Sequence, residues 1–324
     1  MRIEKLSTQL VSLPLKKPIR TAIHDMRSVG CVLVSIQADG VVGEGFAFTL
    51  NGVRLKAFDE VIRSYAPLVE GQPVHRIGGI WESIWQAVNP MGQKGITIGA
   101  LSAVDTALWD LRGKALNQPL HHLFGSCRDR VKTYASGGLW LSQSIDELTE
   151  EAGQFIGQGF LSMKIRVGQA DWRSDIERVK AVRAAIGHHI ELLADANQAL
   201  NVKQAIRLAR ELEAYDVGWL EEPVTAHNLS GHAEVRRRVD MPIASGETEY
   251  SRYGMRAMIE AQACDVLMPD LQRIGGLSEM RRVTALAASY DLPVSPHFFT
   301  EYSQCIAGST PDAIGISTRL RTSA

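Results

Sequence analysis

Residues 191–223 read ELLADANQALNVKQAIRLARELEAYDVGWLEEP. A short apolar run over 191–195 ends in Asp195. Asn201 then stands as a cap before an amphipathic stretch over 202–214, and a second apolar run, 217–221, ends in Glu221. The pattern predicts a strand, a crossover helix and a second, parallel strand, with a carboxylate at the C-terminal end of each strand. The unit repeats on both sides. Candidate strands fall at 131–135, 161–166, 191–195, 217–221, 242–246, 265–268 and 292–295. Helical patterns fall near 145–157, 171–186, 202–214, 229–239, 251–262 and 277–290. Ser144, Asp171, Asn201, Asn228 and Ser251 are the expected N-cap residues of these helices. Seven or so such units favour an α/β fold of the closed, TIM-type (β/α) barrel over an open doubly wound sheet. Gly275-Gly276 reads as a tight turn rather than a phosphate loop.

Upstream the texture differs. Residues 31–37 (CVLVSIQ) and 41–48 (VVGEGFAF) flank Asp39-Gly40 and read as a hairpin. Helical patterns follow at 53–69, 74–88 and 99–116, the last with Leu101, Val104, Ala107, Leu108 and Leu111 on one face. This part, residues 1–125, is expected to form an α+β unit, and residues 126–324 the barrel.

Composition narrows the class of function. The 324 residues carry 35 basic and 36 acidic side chains. That balance offers no footprint for nucleic acid or an anionic membrane and leaves a small molecule as the expected partner. No apolar run approaches the roughly 18 residues of a membrane span. The N-terminus lacks the apolar core of a signal peptide. Cys31, Cys127, Cys264 and Cys305 are widely spaced, which points to reduced thiols in the cytoplasm.

The polar residues at the strand ends carry the chemistry. Lys164, Asp195, Glu221, Glu247, Asp270 and His297 follow at intervals of 31, 26, 26, 23 and 27 residues, each about one βα unit. A barrel gathers such ends at one mouth, where barrel enzymes keep their sites. A lone acid is most often a solvated loop residue or a cap. Three at matched strand ends, Asp195, Glu221 and Glu247, would repel one another unless a cation neutralised them. All-oxygen ligation suits Mg²⁺, with Mn²⁺ as the alternative. Alternation along the strand turns Glu222 away from the face of Glu221. Asp270 beside His297 would fix the imidazole tautomer and raise its basicity, as a general acid or base requires. Lys164, near a divalent ion, would have a lowered pKa and could exchange protons. An ion pair to a metal ligand is its competing role. A metal, a cation and a His–Asp pair together suit removal of the weakly acidic proton α to a carboxylate.

Lys164-Ile165-Arg166, Asp195-Ala196-Asn197-Gln198, Trp219-Leu220-Glu221-Glu222-Pro223, Gly246-Glu247, Met268-Pro269-Asp270 and Ser295-Pro296-His297 resemble the motifs of the enolase superfamily, specifically its mandelate racemase subgroup. The resemblance spans nearly the whole chain. It implies an N-terminal capping domain over a modified barrel, with Asp195, Glu221 and Glu247 on Mg²⁺. It also implies that His297, assisted by Asp270, is an acid/base group, and that Lys164 opens the family's Lys-x-Lys motif. Arg166 departs from that motif. Arginine is always protonated and a poor base, so Arg166 is expected to hold the substrate carboxylate. That weakens a two-base racemase and favours dehydration of an aldonate or aldarate to a 2-keto-3-deoxy acid, a carbon–oxygen lyase reaction. The family's further glutamate, after the last strand, has no counterpart in DAIGISTRLRTSA (312–324). No eighth βα unit is legible there, and a truncated or altered C-terminus is the expectation.

Substrate contacts are expected from Asn197 and from the loops at 19–26 and 49–53, with His24, Asp25 and Arg20 reading hydroxyls or a distal carboxylate. Tyr134 and Trp140 would line the pocket or pack the core. The competing readings are a racemase or epimerase of a 2-hydroxy acid, a metal-dependent barrel hydrolase, which would need more histidines, and a catalytically impaired homologue. Resemblance also suggests a homo-oligomer, with an octamer among the options.

Overall fold

The computed structural model describes residues 1–318. The expected hairpin forms two strands of a three-stranded antiparallel sheet, β1 (Lys5–Arg20), β2 (Asp25–Ala38) and β3 (Val41–Leu50), in that spatial order. β2 is central, and its alternation buries Val32, Val34 and Ile36 on one face. That face packs on α4 (Ile96–Leu116), itself preceded by α1 (Leu55–Ser64), α2 (Ala66–Val69) and α3 (Ile77–Ala87) and followed by α5 (Leu120–Leu123). The close approach of β3 to α4 requires glycine: a Cβ on Gly43 would fall on the Ala107 carbonyl and on Leu111.

β1 is absent from the sequence reading. Pro14 and Pro18 disguise it, and both are tolerated because β1 is an edge strand with its register broken between Pro14 and Ile19. The expected loop at 19–26 contracts to a turn at 21–24 between β1 and β2.

The barrel region follows the repeat. In chain order it runs β4 (Thr133–Ala135), α6 (Ile145–Gly157), β5 (Ser162–Arg166), α7 (Trp172–Ile186), β6 (Glu191–Asp195) and α8 (Val202–Glu213). Then come β7 (Val217–Glu221), α9 (Leu229–Arg238), β8 (Ile243–Ser245), α10 (Ser251–Glu260), β9 (Val266–Leu267), α11 (Leu271–Ile274), α12 (Leu277–Ala288), α13 (Thr300–Ser309) and β10 (Ile316–Thr318). Seven strands form one curled parallel sheet in the order β10-β4-β5-β6-β7-β8-β9, a modified TIM barrel beneath the antiparallel cap. Ser144 and Asn201 form capping boxes with Glu147 and Gln204, and Asp171 and Asn228 cap α7 and α9. Ser251 does not cap: it is the first residue of α10, after Tyr250.

Two expectations change at the end of the barrel. Residues 292–295 form no regular strand; Val294 makes single bridges to Leu267 and to Ala313. A further helix and strand, α13 and β10, follow, and β10 pairs in parallel with β4. Gly308 and Gly315 and the short β10 hide this unit from a hydropathy reading. The expectation of a truncated or altered C-terminus falls partly on residues 319–324, which lie outside the described residues. Among the described residues no helix is long and apolar enough to cross a membrane, and the four cysteines are free.

Candidate active site

Parallel pairing sets the strand ends side by side. Asp195 is the register partner of both Arg166 on β5 and Glu221 on β7, and Glu221 lies opposite Ala244 on β8, three residues before Glu247. Asp270 and His297 bridge one another directly. The repeat read from the sequence therefore becomes a cluster of buried charged groups at one mouth.

Lys164 is buried between two of the carboxylates. Its Nζ is 2.7 Å from both Glu221 carboxylate oxygens and 3.2 Å from Asp195 Oδ2. Burial opposes the ammonium charge, but Glu221 and Asp195 outweigh it and hold its pKa above the usual range. The ion pair named as its competing role is formed; the lowered pKa was expected beside a bound divalent ion. Glu221 is pushed up to about 7, first by burial and then by the charge of Asp195.

His297 donates from Nδ1 to Asp270 Oδ2 at 2.8 Å and from Nε2 to Glu247 Oε2 at 2.9 Å. Burial disfavours the imidazolium, yet Glu247 and Asp270 prevail and push it up to about 9. Asp270 is itself fixed, because its Oδ1 caps α11 by accepting from the backbone N–H groups of Gln272 and Arg273. The same His297 contact, with Arg273, holds Glu247 below the usual carboxylate range against the penalty of burial.

Arg166 differs in kind. Its guanidinium lies 4.8 Å over the Trp140 ring, donates from Nη2 to the Ser136 carbonyl at 3.3 Å and stands 3.5 Å from Asp195. Its Nε and Nη1 are buried without a hydrogen-bond acceptor. Buried N–H donors of a cation are costly to leave unpaired; Nε faces the Asp195 carboxylate, which leaves Nη1 placed to receive an anion.

Asp195, Asn197, Glu247, Asp270, His297 and Arg166 line one cavity of about 170 Å³, and His24 and Trp140 line it too. A chamber of about 450 Å³ shares Arg166 and His297 with it and adds Ser136, Ser317 and Thr318. Arg20 is exposed at the end of β1 and lines neither cavity. Asp25 lines neither as well. Tyr134 packs edge-on against Trp219 inside the barrel, 5.5 Å between ring centres, whereas Trp140 lines the pocket.

Two residues escape the sequence reading. Glu222 was expected to turn away, but its φ of 41° breaks the strand alternation. Its buried carboxyl is raised well above its ordinary pKa by burial and by Glu247 and Asp195, and Gln198 Nε2 donates to it at 3.0 Å. Arg273 lines the cavity and donates to the Glu247 carbonyl at 2.6 Å. Its spacing, three residues beyond Asp270, was the available signal.

The donor set suits a hard divalent cation. Asp195, Glu221 and Glu247 are buried carboxylates, and Asn197 Oδ1 and Glu222 Oε1 are buried oxygens without partners. As placed, Lys164 and His297 neutralise those carboxylates. Among the described residues no three His, Cys, Asp or Glu side chains already stand together as a closed ligand group, so a cation would have to draw them from these partners.

Residues 5–125 match the mandelate racemase/muconate lactonizing enzyme N-terminal domain, and residues 147–313 match the enolase C-terminal domain-like family. A 3,6-anhydro-α-L-galactonate cycloisomerase of Streptomyces coelicolor is 33% identical over 91% of this chain and 82% of its own length. The structure of L-talarate/galactarate dehydratase from Salmonella typhimurium, liganded with Mg and L-lyxarohydroxamate, superposes with a TM-score of 0.93 at 30% identity, covering 98% of this chain and 83% of that one. L-talarate dehydratase from Polaromonas, complexed with Mg and L-glucarate, gives 0.93 at 32% identity, covering 98% and 87%. On its motifs, its fold and these matches, the chain belongs to the mandelate racemase/muconate lactonizing enzyme family of the enolase superfamily.

Proposed function

We propose that this enzyme removes the proton α to the carboxylate of an acid sugar and expels the β-hydroxyl, yielding a 2-keto-3-deoxy acid. The observation that carries the reading is the pairing, in one cavity, of the Asp270–His297 dyad with the buried guanidinium of Arg166, whose Nη1 has no hydrogen-bond acceptor. Arg166 would bind the substrate carboxylate. His297 would act from its neutral form: once Nε2 has given up the proton it donates to Glu247, it would take the α proton and then give it to the departing hydroxyl. Asp270 would hold the ring through Nδ1 during both transfers.

Asp195, Glu221 and Glu247 are the proposed Mg²⁺ ligands, with Mn²⁺ as a substitute. When bound, the ion would supply positive charge that acidifies the α proton of a carboxylate. Lys164 would balance the carboxylates rather than act as a second base, since two of them hold its charge. With Lys164 so engaged and Arg166 always protonated, His297 is the one group suited to exchange a proton, which favours dehydration over a two-base racemase or epimerase. Asn197 and His24 would contact the sugar hydroxyls, under a cap taken as residues 1–125. Free cysteines suit a cytoplasmic setting, and the half-exposed Leu13 and Leu33 on the cap sheet suit a homo-oligomer.

A panel of aldonates and aldarates incubated with the enzyme and Mg²⁺ tests the reading, with 2-keto acid detected as its semicarbazone. At least one acid sugar should give product. Epimerised acid with no keto product anywhere in the panel would overturn dehydration in favour of the racemase alternative.

A further inference from the structure

Arg166 faces Asp195 at 3.5 Å, makes one long side-chain hydrogen bond and leans on Trp140, so its aim depends also on what holds Trp140 and its own backbone. Both are held by one buried residue of α7 that takes no part in the chemistry. Arg178 Nη1 donates to the Arg166 carbonyl at 2.8 Å, and Nη2 donates to the Trp140 carbonyl at 2.9 Å. Its partner Asp175, 3.3 Å away and fully buried, accepts through Oδ2 from the backbone N–H groups of Gly168 and Gln169. Gln169 in turn donates to the Leu141 carbonyl at 3.3 Å. The Asp175–Arg178 pair thus ties the segment after β4 to the segment after β5, directly behind the Arg166–Trp140 stack. We propose that Arg178 is a positioning residue for substrate binding: it sets the Arg166–Trp140 stack that receives the substrate carboxylate. This rests on the proposed function of Arg166.

A matched control lies on the same helix. Arg183 is as buried as Arg178 and likewise donates to backbone carbonyls, those of Gly187, Ile190, Tyr215 and Asp216. It lies at the far end of α7 from the mouth. The experiment compares Arg178→Lys and Arg178→Met with Arg183→Lys and Arg183→Met, and includes Asp175→Asn in case the Met variants do not fold. Acrylamide quenching of Trp140 is read as the difference from Trp140→Phe in each background. Steady-state kinetics use L-glucarate with Mg²⁺. The Arg178 and Asp175 variants should expose Trp140 about twofold more to quencher. They should raise KM about tenfold with kcat within about twofold, the signature of lost uniform binding. The Arg183 variants should lower Tm and leave quenching and KM unchanged. If the two sets behave alike, Arg178 is structural only and the proposal fails. If the wild type neither binds nor turns over L-glucarate, that substrate is wrong, and the quenching arm still decides the role of Arg178.

Discussion

At the residue scale, the site is a set of competing charges, and each side chain's role follows from which neighbour wins. His297 carries its proton because Glu247 and Asp270 outweigh its burial. Replacing it by Asn should lower α-proton exchange by about 10²–10⁴-fold, measured by deuterium wash-in, with little change in the melting temperature. Unchanged exchange would move the acid/base role elsewhere. His232 on α9 shows the opposite balance. It is fully buried, and desolvation pushes it down to about 4 against the backbone carbonyls of Val224 and Thr225. The folded state therefore binds fewer protons than the unfolded chain between about pH 6.5 and 4. Its contribution to stability is present above pH 6.5 and is lost as the pH falls through 4. Urea titrations across that window should show a shallower fall for His232→Gln than for the wild type. Most of these residues were legible as strand-end positions, and so was the Asp270–His297 pair; the other partners were not. Lys164 could be placed beside a carboxylate, but only the register of β5, β6 and β7 puts it between two. Glu222 was misread because a strand rule was applied past the strand, where φ turns positive.

At the element scale, the repeating units were legible because each helix declares its start. Asn201 and Gln204 close a capping box ahead of α8, and Asn201→Ala should cost about 1 kcal/mol of unfolding free energy by chemical denaturation. No loss would mean that α8 is set by packing alone. Glycines carry the contact between β3 and α4. Gly43→Ala should cost ~1–3 kcal/mol, because the added carbon meets helix backbone that cannot step aside. The elements missed are those whose pairing, rather than composition, makes them strands. β1 contains two prolines and is held by β2. β10 has three residues and is held by β4. Neither has a hydropathy pattern strong enough to announce itself.

At the scale of the molecule, the cap and the barrel share buried polar contacts. Gln272, two residues beyond Asp270, exchanges hydrogen bonds with the Phe48 backbone, accepting at 2.6 Å and donating at 3.1 Å. Ser102 donates to the Leu271 carbonyl, and Trp81 to the Gly275 carbonyl. Asp105, pushed up to about 7 chiefly by burial, accepts from Ser278. These ties place the cap over the mouth through the short helix that Asp270 caps. They predict one cooperative unfolding transition, with Trp fluorescence and far-ultraviolet circular dichroism coincident in urea; two separated transitions would show that the contacts do not couple the parts. The barrel architecture was readable from the chain, but this coupling was not, since it joins residues more than 160 positions apart. The central claim is that the mouth takes a proton from the carbon next to a carboxylate. Proton NMR in D₂O, with Mg²⁺ and pooled mono- and diacid sugars, tests it most directly. The account predicts loss of an α-proton signal, growth of a 3-deoxy methylene signal, and neither change after chelation of the metal or in His297→Asn. An α proton that persists in every acid sugar with folded, Mg²⁺-supplied enzyme would contradict it.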